Sequence, residues 1–174
     1  MELETVLALR RSTRRFTDRP VAAEDLETIL RAAQRAPLAA GDDKTTHLTL
    51  VGPGETLEKL RRTCMLRRRT GEKVDAFYGA RALIVVSAAD VSDDHIEYAN
   101  AGCVIENMHL QATALGLGSC YIWGSLRKLR ADGEALAALE LPEGYQVLSA
   151  LAVGYAAEPL VPREYRDKMT VNRL

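Results

Sequence analysis

Apolar positions along this chain recur with a helical period in some stretches and a strand period in others. In "ELETVLALRR" (2–11), Leu3, Val6, Leu7 and Leu9 stand at helical spacing, and the arginines that follow suit a helix C-terminus. A second helix is predicted from about Ala23 to Ala36, with Leu26, Ile29, Leu30 and Ala33 on one face and Pro37 closing it. "HLTLVG" (47–52) alternates like a strand and runs into Gly52-Pro53-Gly54. "ETLEKLRRTCMLRRR" (55–69) reads as a polar-faced helix.

The middle of the chain is more apolar. "ALIVVSAAD" (82–90) is a continuous apolar run of strand length, expected in the interior of a sheet. The longest helical signal covers residues 95–118, and Ala99, Ala101, Gly102 and Cys103 make its first half rich in small side chains. Such a helix is expected to be buried on most sides against another helix. "SCYIWG" (119–124) is a short strand, a polar helical stretch runs to about Glu140, and "YQVLSALAVGYA" (145–156) is a further apolar strand. The tail "PLVPREYRDKMTVNRL" has no clear period. The pattern is α+β, with helices outnumbering about four strands. No repeat, low-complexity tract or linker divides it, so residues 1–174 are expected to form a single domain.

Composition narrows the function. Aromatic residues are 5% of the 174, so Ala, Leu and Val must fill the interior. A formal net charge of −1 argues against a general nucleic-acid binder. The start "MELETVLALRRS" lacks the pattern of a secretion signal, and no apolar run is long enough to span a bilayer. Cys64, Cys103 and Cys120 form no CxxC pair, an odd and sparse set that fits a reduced, cytoplasmic protein.

Several motifs fail on inspection. "GLGSCY" (116–121) begins like a dinucleotide fingerprint, but Tyr121 stands in the third glycine's place and the run follows a helix. There is no phosphate-binding G-x-x-x-x-G-K-[ST] loop, and Ser125-Leu-Arg-Lys128 matches S-x-x-K without any supporting motif. His47, His95 and His109 are scattered, with no spacing that suggests a metal site. No nucleophile is accompanied by its base, so any catalysis is expected to rest on a cofactor.

One charge run stands out. "RRSTRRFTDRP" (10–20) holds five arginines and one acid. Two readings are open: a solvated helix end, or a cradle in which guanidinium forks, a hydroxyl and free backbone N–H groups hold an anion. Trp123 reads equally as a core tryptophan, and Arg163 as part of a solvated tail.

The surrounding pattern resembles the nitroreductase family of FMN-dependent flavoproteins. "RRSTRRFTDRPVAAEDLETILRAAQRAP" matches that family's R-R-S-x-R-x-F opening, its Pro-Val, and its helix ending in Ala-Pro. In order follow "FYGARALIVVSAAD" (77–90), "YANAGCVIENMHLQATALGLGSCYIWG" (98–124) and "LPEGYQVLSALAVGYAAEP" (141–159). The resemblance implies a nitroreductase-like α+β fold, with a mostly antiparallel sheet of four to five strands flanked by helices, and an intertwined homodimer. It implies an FMN phosphate and ribityl cradle from Arg10, Arg11 through its backbone, Ser12 and Arg14. Ile122, Trp123 and Gly124 would pass backbone beneath the flavin ring, with an N–H near flavin N5. Arg163, and Arg166 beside it, align with basic residues of the tail that meet the phosphate.

The implied activity is that of an FMN-dependent oxidoreductase. NADPH or NADH would deliver hydride to N5, and a small acceptor such as a nitroaromatic or quinone would then take its place in ping-pong order. No catalytic side chain and no metal are implied. One segment departs from the family: "PLAAGDDKTTHL" (37–48) lacks the Asn, Gln and Trp usual there, although Asp42 and Lys44 stand near their positions. Lys44 would then donate to flavin O2 and favour the reduced, anionic flavin. Arg81 likewise replaces a common proline. These departures leave two alternatives: an FMN-dependent oxidase or dehydrogenase of another substrate, and a flavin-binding module without turnover.

Overall fold

The computed structural model describes residues 1–174 except Asp42, Asp43 and Asp167. Its main sheet has four antiparallel strands in the order β1-β4-β6-β5, formed by Thr46–Val51, Ala82–Ala88, Gln146–Gly154 and Gly118–Ile122. A minor hairpin pairs β2, Leu66–Arg67, with β3, Lys73–Val74. The helices are α1 (Leu3–Leu9), α2 (Ala23–Ala33), α3 (Glu55–Thr63), α4 (Ile96–Ala114), α5 (Leu126–Arg130) and α6 (Gly133–Ala137). The α+β fold and the interior position of the 82–90 run are both as the sequence predicts.

Helices cover both faces of the sheet, which explains why β4 is buried at every position. Leu83 and Val85 face one core with Leu57, Leu60, Leu126 and Leu129. Ala82, Ile84 and Val86 face the other core, with Leu26, Ile29, Ile105 and Met108. Strand β6 carries a bulge opposite Val86 and Ser87. The extra residue resets its alternation, so that Leu148 and Ala150 point into different cores. Among the described residues Phe77 is a fully buried aromatic ring, Phe16 joins it in the same core, and aliphatic side chains do most of the remaining packing.

Four elements differ from the sequence reading. Helix α2 ends at Ala33, and residues 34–36 make turns before Pro37. Helix α3 stops at Thr63 rather than continuing to residue 69, because the arginine-rich stretch turns at Gly71 (φ 88°) to form the hairpin. The polar stretch after β5 is two short helices, separated where the Asp132 carboxylate accepts from Ala135 N at 3.0 Å and caps α6. Helix α4 is shorter at both ends than predicted, and Gly116 (φ 77°) makes the turn into β5. It packs against α2, where Asn107 Nδ2 donates to Ala32 O at 3.2 Å. As expected, it is buried on most sides, and its exposed positions are Ile96, Ala99, Cys103 and Glu106.

Candidate functional site

Helix α1 ends at Leu9, and the arginine run continues as extended chain along the edge of β5. Ser12 pairs in parallel with Ser119, and Thr13 N donates to Ser119 O at 2.8 Å. Further on, Phe16 pairs with Ala156, and Thr17 N donates to Tyr155 O at 2.9 Å. Thr13 and Phe16 point inward and are buried, which leaves Arg14 and Arg15 outward and exposed.

Two glycines make this seat. A Cβ on Gly118 would stand 2.7 Å from Thr13 Oγ1, and one on Gly154 would stand 2.9 Å from Phe16 Cδ1. Such separations are closer than side chains tolerate, so the arginine segment lies where it does because both strands lack a side chain there.

The segment walls an open groove of about 310 Å³, formed by residues 11–15 together with Ala156, Glu158, Pro159 and Leu160. Its charge is mainly cationic, with one exposed ion pair between Arg15 and Glu158 at 3.5 Å. Arg11 reaches the tail through a hydrogen bond from its Nη2 to Val161 O. Its Nε is buried without a partner, as are the hydroxyls of Thr13 and Ser119. Those atoms lie beneath the groove, and the donors its lining exposes to a ligand are the guanidiniums of Arg14 and Arg15. Cys120 lies below the segment; burial raises its thiol pKa, against the opposing pull of the Arg14 charge and the Ser12 hydroxyl.

Arg10 turns toward α4. Its Nε is 3.7 Å from Glu106 Oε1, and its Nη1 is 3.5 Å from each ring nitrogen of buried His109. The His109 ring and the Arg10 charge beside Glu106 hold that carboxyl below the usual carboxylate range. The tail returns to the same region, where Arg163 N donates to Ala8 O at 3.0 Å. The side chains of Arg163 and Arg166 are exposed.

Ile122, Trp123 and Gly124 lie at the far end of β5. The Ile122 side chain is buried in the core, so only its backbone is available to a ligand. Trp123 is not a core residue: it is 48% exposed and meets the Tyr98 ring of α4 edge-on at 5.3 Å, with Tyr121 at 6.4 Å. A Cβ on Gly124 would meet nothing within 4 Å. Lys44 precedes β1 on the opposite edge of the sheet, at the same end as Trp123. Its carbonyl accepts from Tyr145 Oη at 3.0 Å, and the turn before it is tied to α4 by Ala39 N donating to Asn100 Oδ1 at 2.9 Å. Asp42 lies outside the described residues.

Helix α4 and strand β5 thus run side by side between two clusters: His109 beside the arginines, Tyr98 beside Trp123. Sequence reasoning named the arginines and the 122–124 turn but missed His109, Tyr98 and the Gly118 seat.

Residues 7–155 match the model of the nitroreductase family. A protein of Archaeoglobus fulgidus, provisionally named NADH dehydrogenase/NAD(P)H nitroreductase, is 30% identical over 171 residues, covering 95% of this chain and 91% of that one. The FMN reductase (NADPH) of Bacillus subtilis is 28% identical over 189 residues, covering 93% and 70%. The crystal structure of a nitroreductase with bound FMN from Bacteroides fragilis superposes with a TM-score of 0.81 at 29% identity, over 99% of this chain and 100% of that one. With a sequence match across most of its length and the same architecture in three dimensions, the chain belongs to the nitroreductase family.

Proposed function

We propose that the chain is an FMN-dependent oxidoreductase that takes hydride from NADPH or NADH and passes electrons to a small organic acceptor, a nitroaromatic or a quinone, in ping-pong order. A family member with FMN bound and a relative named FMN reductase (NADPH) support the cofactor and the electron donor. The observation that carries the reading is the spacing of the two clusters along β5. A strand rises about 3.3 Å per residue, so Ser119 and Trp123 are separated by about 13 Å. That separation suits an elongated ligand with an anion at one end and a flat ring at the other, and the exposed guanidiniums of Arg14 and Arg15 suit the anion.

FMN, when bound, supplies the hydride-accepting and hydride-donating chemistry; the protein supplies binding and orientation. In this reading Arg10, Ser12 and Arg14 donate to phosphate oxygens, Arg11 contributes its backbone, and Arg163 with Arg166 adds charge from the tail. The backbone of Ile122, Trp123 and Gly124 underlies the ring, and Lys44 serves its pyrimidine edge. The whole of residues 1–174 acts as one FMN-binding domain.

A second copy of the chain completes the site. The apolar side chains of Leu3, Leu7, Ile96 and Trp123 are exposed, alongside the small residues Ala99 and Cys103 on α4. These apolar and small residues suit a face covered by a second copy of the chain. Among the described residues no helix is long and apolar enough to cross a membrane.

Steady-state kinetics test the activity. With NADPH or NADH varied against a nitroaromatic or quinone, double-reciprocal plots should give parallel lines. Intersecting lines would rule out the ping-pong order, and an FMN-loaded protein without turnover would favour the flavin-binding module.

A further inference from the structure

The sequence offers no role for His109, a lone histidine in an apolar helix. In the fold it is 2% exposed and lies under the arginine segment. Its Nε2 is 3.3 Å from two carbonyl oxygens, those of Arg11 and Ser119. Both groups only accept, so Nε2 carries the ring proton and donates to them. Arg10 Nη1 stands 3.5 Å from each ring nitrogen, so the guanidinium lies against the ring as a whole rather than along one nitrogen's lone pair. Glu106, one turn earlier on α4, stands 3.7 Å from both Nδ1 and Arg10 Nε and gives the guanidinium a second hold.

We propose that His109 is a positioning residue for the anion-binding segment: from inside α4, its ring fixes the Arg10 side chain and the peptide between Arg11 and Ser12. A trans peptide points its N–H opposite to its C=O. The bond to Arg11 O therefore aims the Ser12 N–H away from α4. The shared contact with Ser119 O, which also accepts from Thr13 N, locks the segment to β5 at the same point. An aliphatic residue would fill the space yet leave two carbonyls and a guanidinium without this partner. The inference rests on the reading of the arginine segment as the phosphate site of FMN.

The test compares FMN with riboflavin, the same flavin without its phosphate, by fluorescence quenching of the purified protein. His109→Leu should weaken FMN binding roughly tenfold and leave riboflavin within twofold, since the lost hydrogen bonds act on the phosphate alone. His109→Gln, which keeps one donor and one acceptor, should recover most of the FMN affinity. Equal losses for both ligands would reduce His109 to a packing residue, and unchanged affinities would remove the proposal. A second measurement needs no substitution: the ring-nitrogen NMR signals of His109 should move on adding FMN and stay on adding riboflavin. Signals that ignore FMN would overturn the proposal even if the leucine variant failed to fold. A wild-type protein that binds no FMN would instead refute the functional reading beneath it.

Discussion

The Arg10→Ala, Arg14→Ala double variant is expected to bind FMN about 10³-fold more weakly than the wild-type chain while remaining folded. A hydrogen bond to a charged group contributes about 1.5–3 kcal/mol, so losing two weakens binding by about 3–6 kcal/mol. Each 1.4 kcal/mol corresponds to roughly a factor of ten. Folding should tolerate the change. Arg14 is exposed, and Arg10 is half-buried with partners at the margin of the core. Riboflavin binding should change much less, because the substitutions remove contacts to the phosphate. The Arg67→Ala, Arg68→Ala pair on the β2–β3 hairpin removes the same charge elsewhere and should leave FMN affinity nearly unchanged. Equal FMN binding by the cradle variant and this control would mean that the arginine segment does not hold the phosphate.

The Gly118→Val variant should lose both stability and FMN affinity. Thr13 Oγ1, Cγ2 and Cβ would all lie within 3.0 Å of the added Cβ. Thr13 is buried and its backbone is bonded to Ser119, so it has little room to retreat. Overpacking of this kind costs about 1–3 kcal/mol. For a chain of this size that lowers Tm by roughly 5 °C. Because Thr13 lies between Ser12 and Arg14, the displaced segment should also carry its donors out of register, a larger relative effect on FMN than on the fold. Gly124→Ala provides the contrast, since nothing in the chain stands within 4 Å of a Cβ there. Its melting temperature should match the wild type. Thermal unfolding and flavin titration of both variants check the pair of expectations. A Gly118→Val protein with wild-type Tm and FMN affinity would mean that the segment can occupy a different seat.

These two cases also show where the sequence speaks and where it is silent. The arginine run was legible because its chemistry is local: five guanidinium groups within eleven positions declare a preference for anions before any fold is known. The strands were legible because their apolar runs are long, and β4 is buried throughout as such a run requires. Gly118 was not legible as a seat, because the side chain it accommodates belongs to Thr13, which reaches it only through the fold. His109 was missed for the same reason. Its partners Arg10 and Arg11 are 99 and 98 residues distant along the chain, and a single histidine among apolar residues reads as ordinary core. The β2–β3 hairpin was hidden by residues that suit a solvated helix equally well. Trp123 gave no local sign of facing outward; its place is set by the ring of Tyr98, which α4 brings alongside.

The account as a whole is tested most directly by the visible spectrum of the purified protein, before and after anaerobic addition of NADPH and then NADH. A yellow protein that bleaches with a nicotinamide donor is the predicted result; it would establish the flavin and the reducing half of the reaction together. A yellow protein that neither donor bleaches would contradict the reductase reading while keeping the cofactor. A colourless protein that takes up no added FMN would contradict the central claim, that the arginine segment beside Ser119 is built to hold the phosphate of FMN.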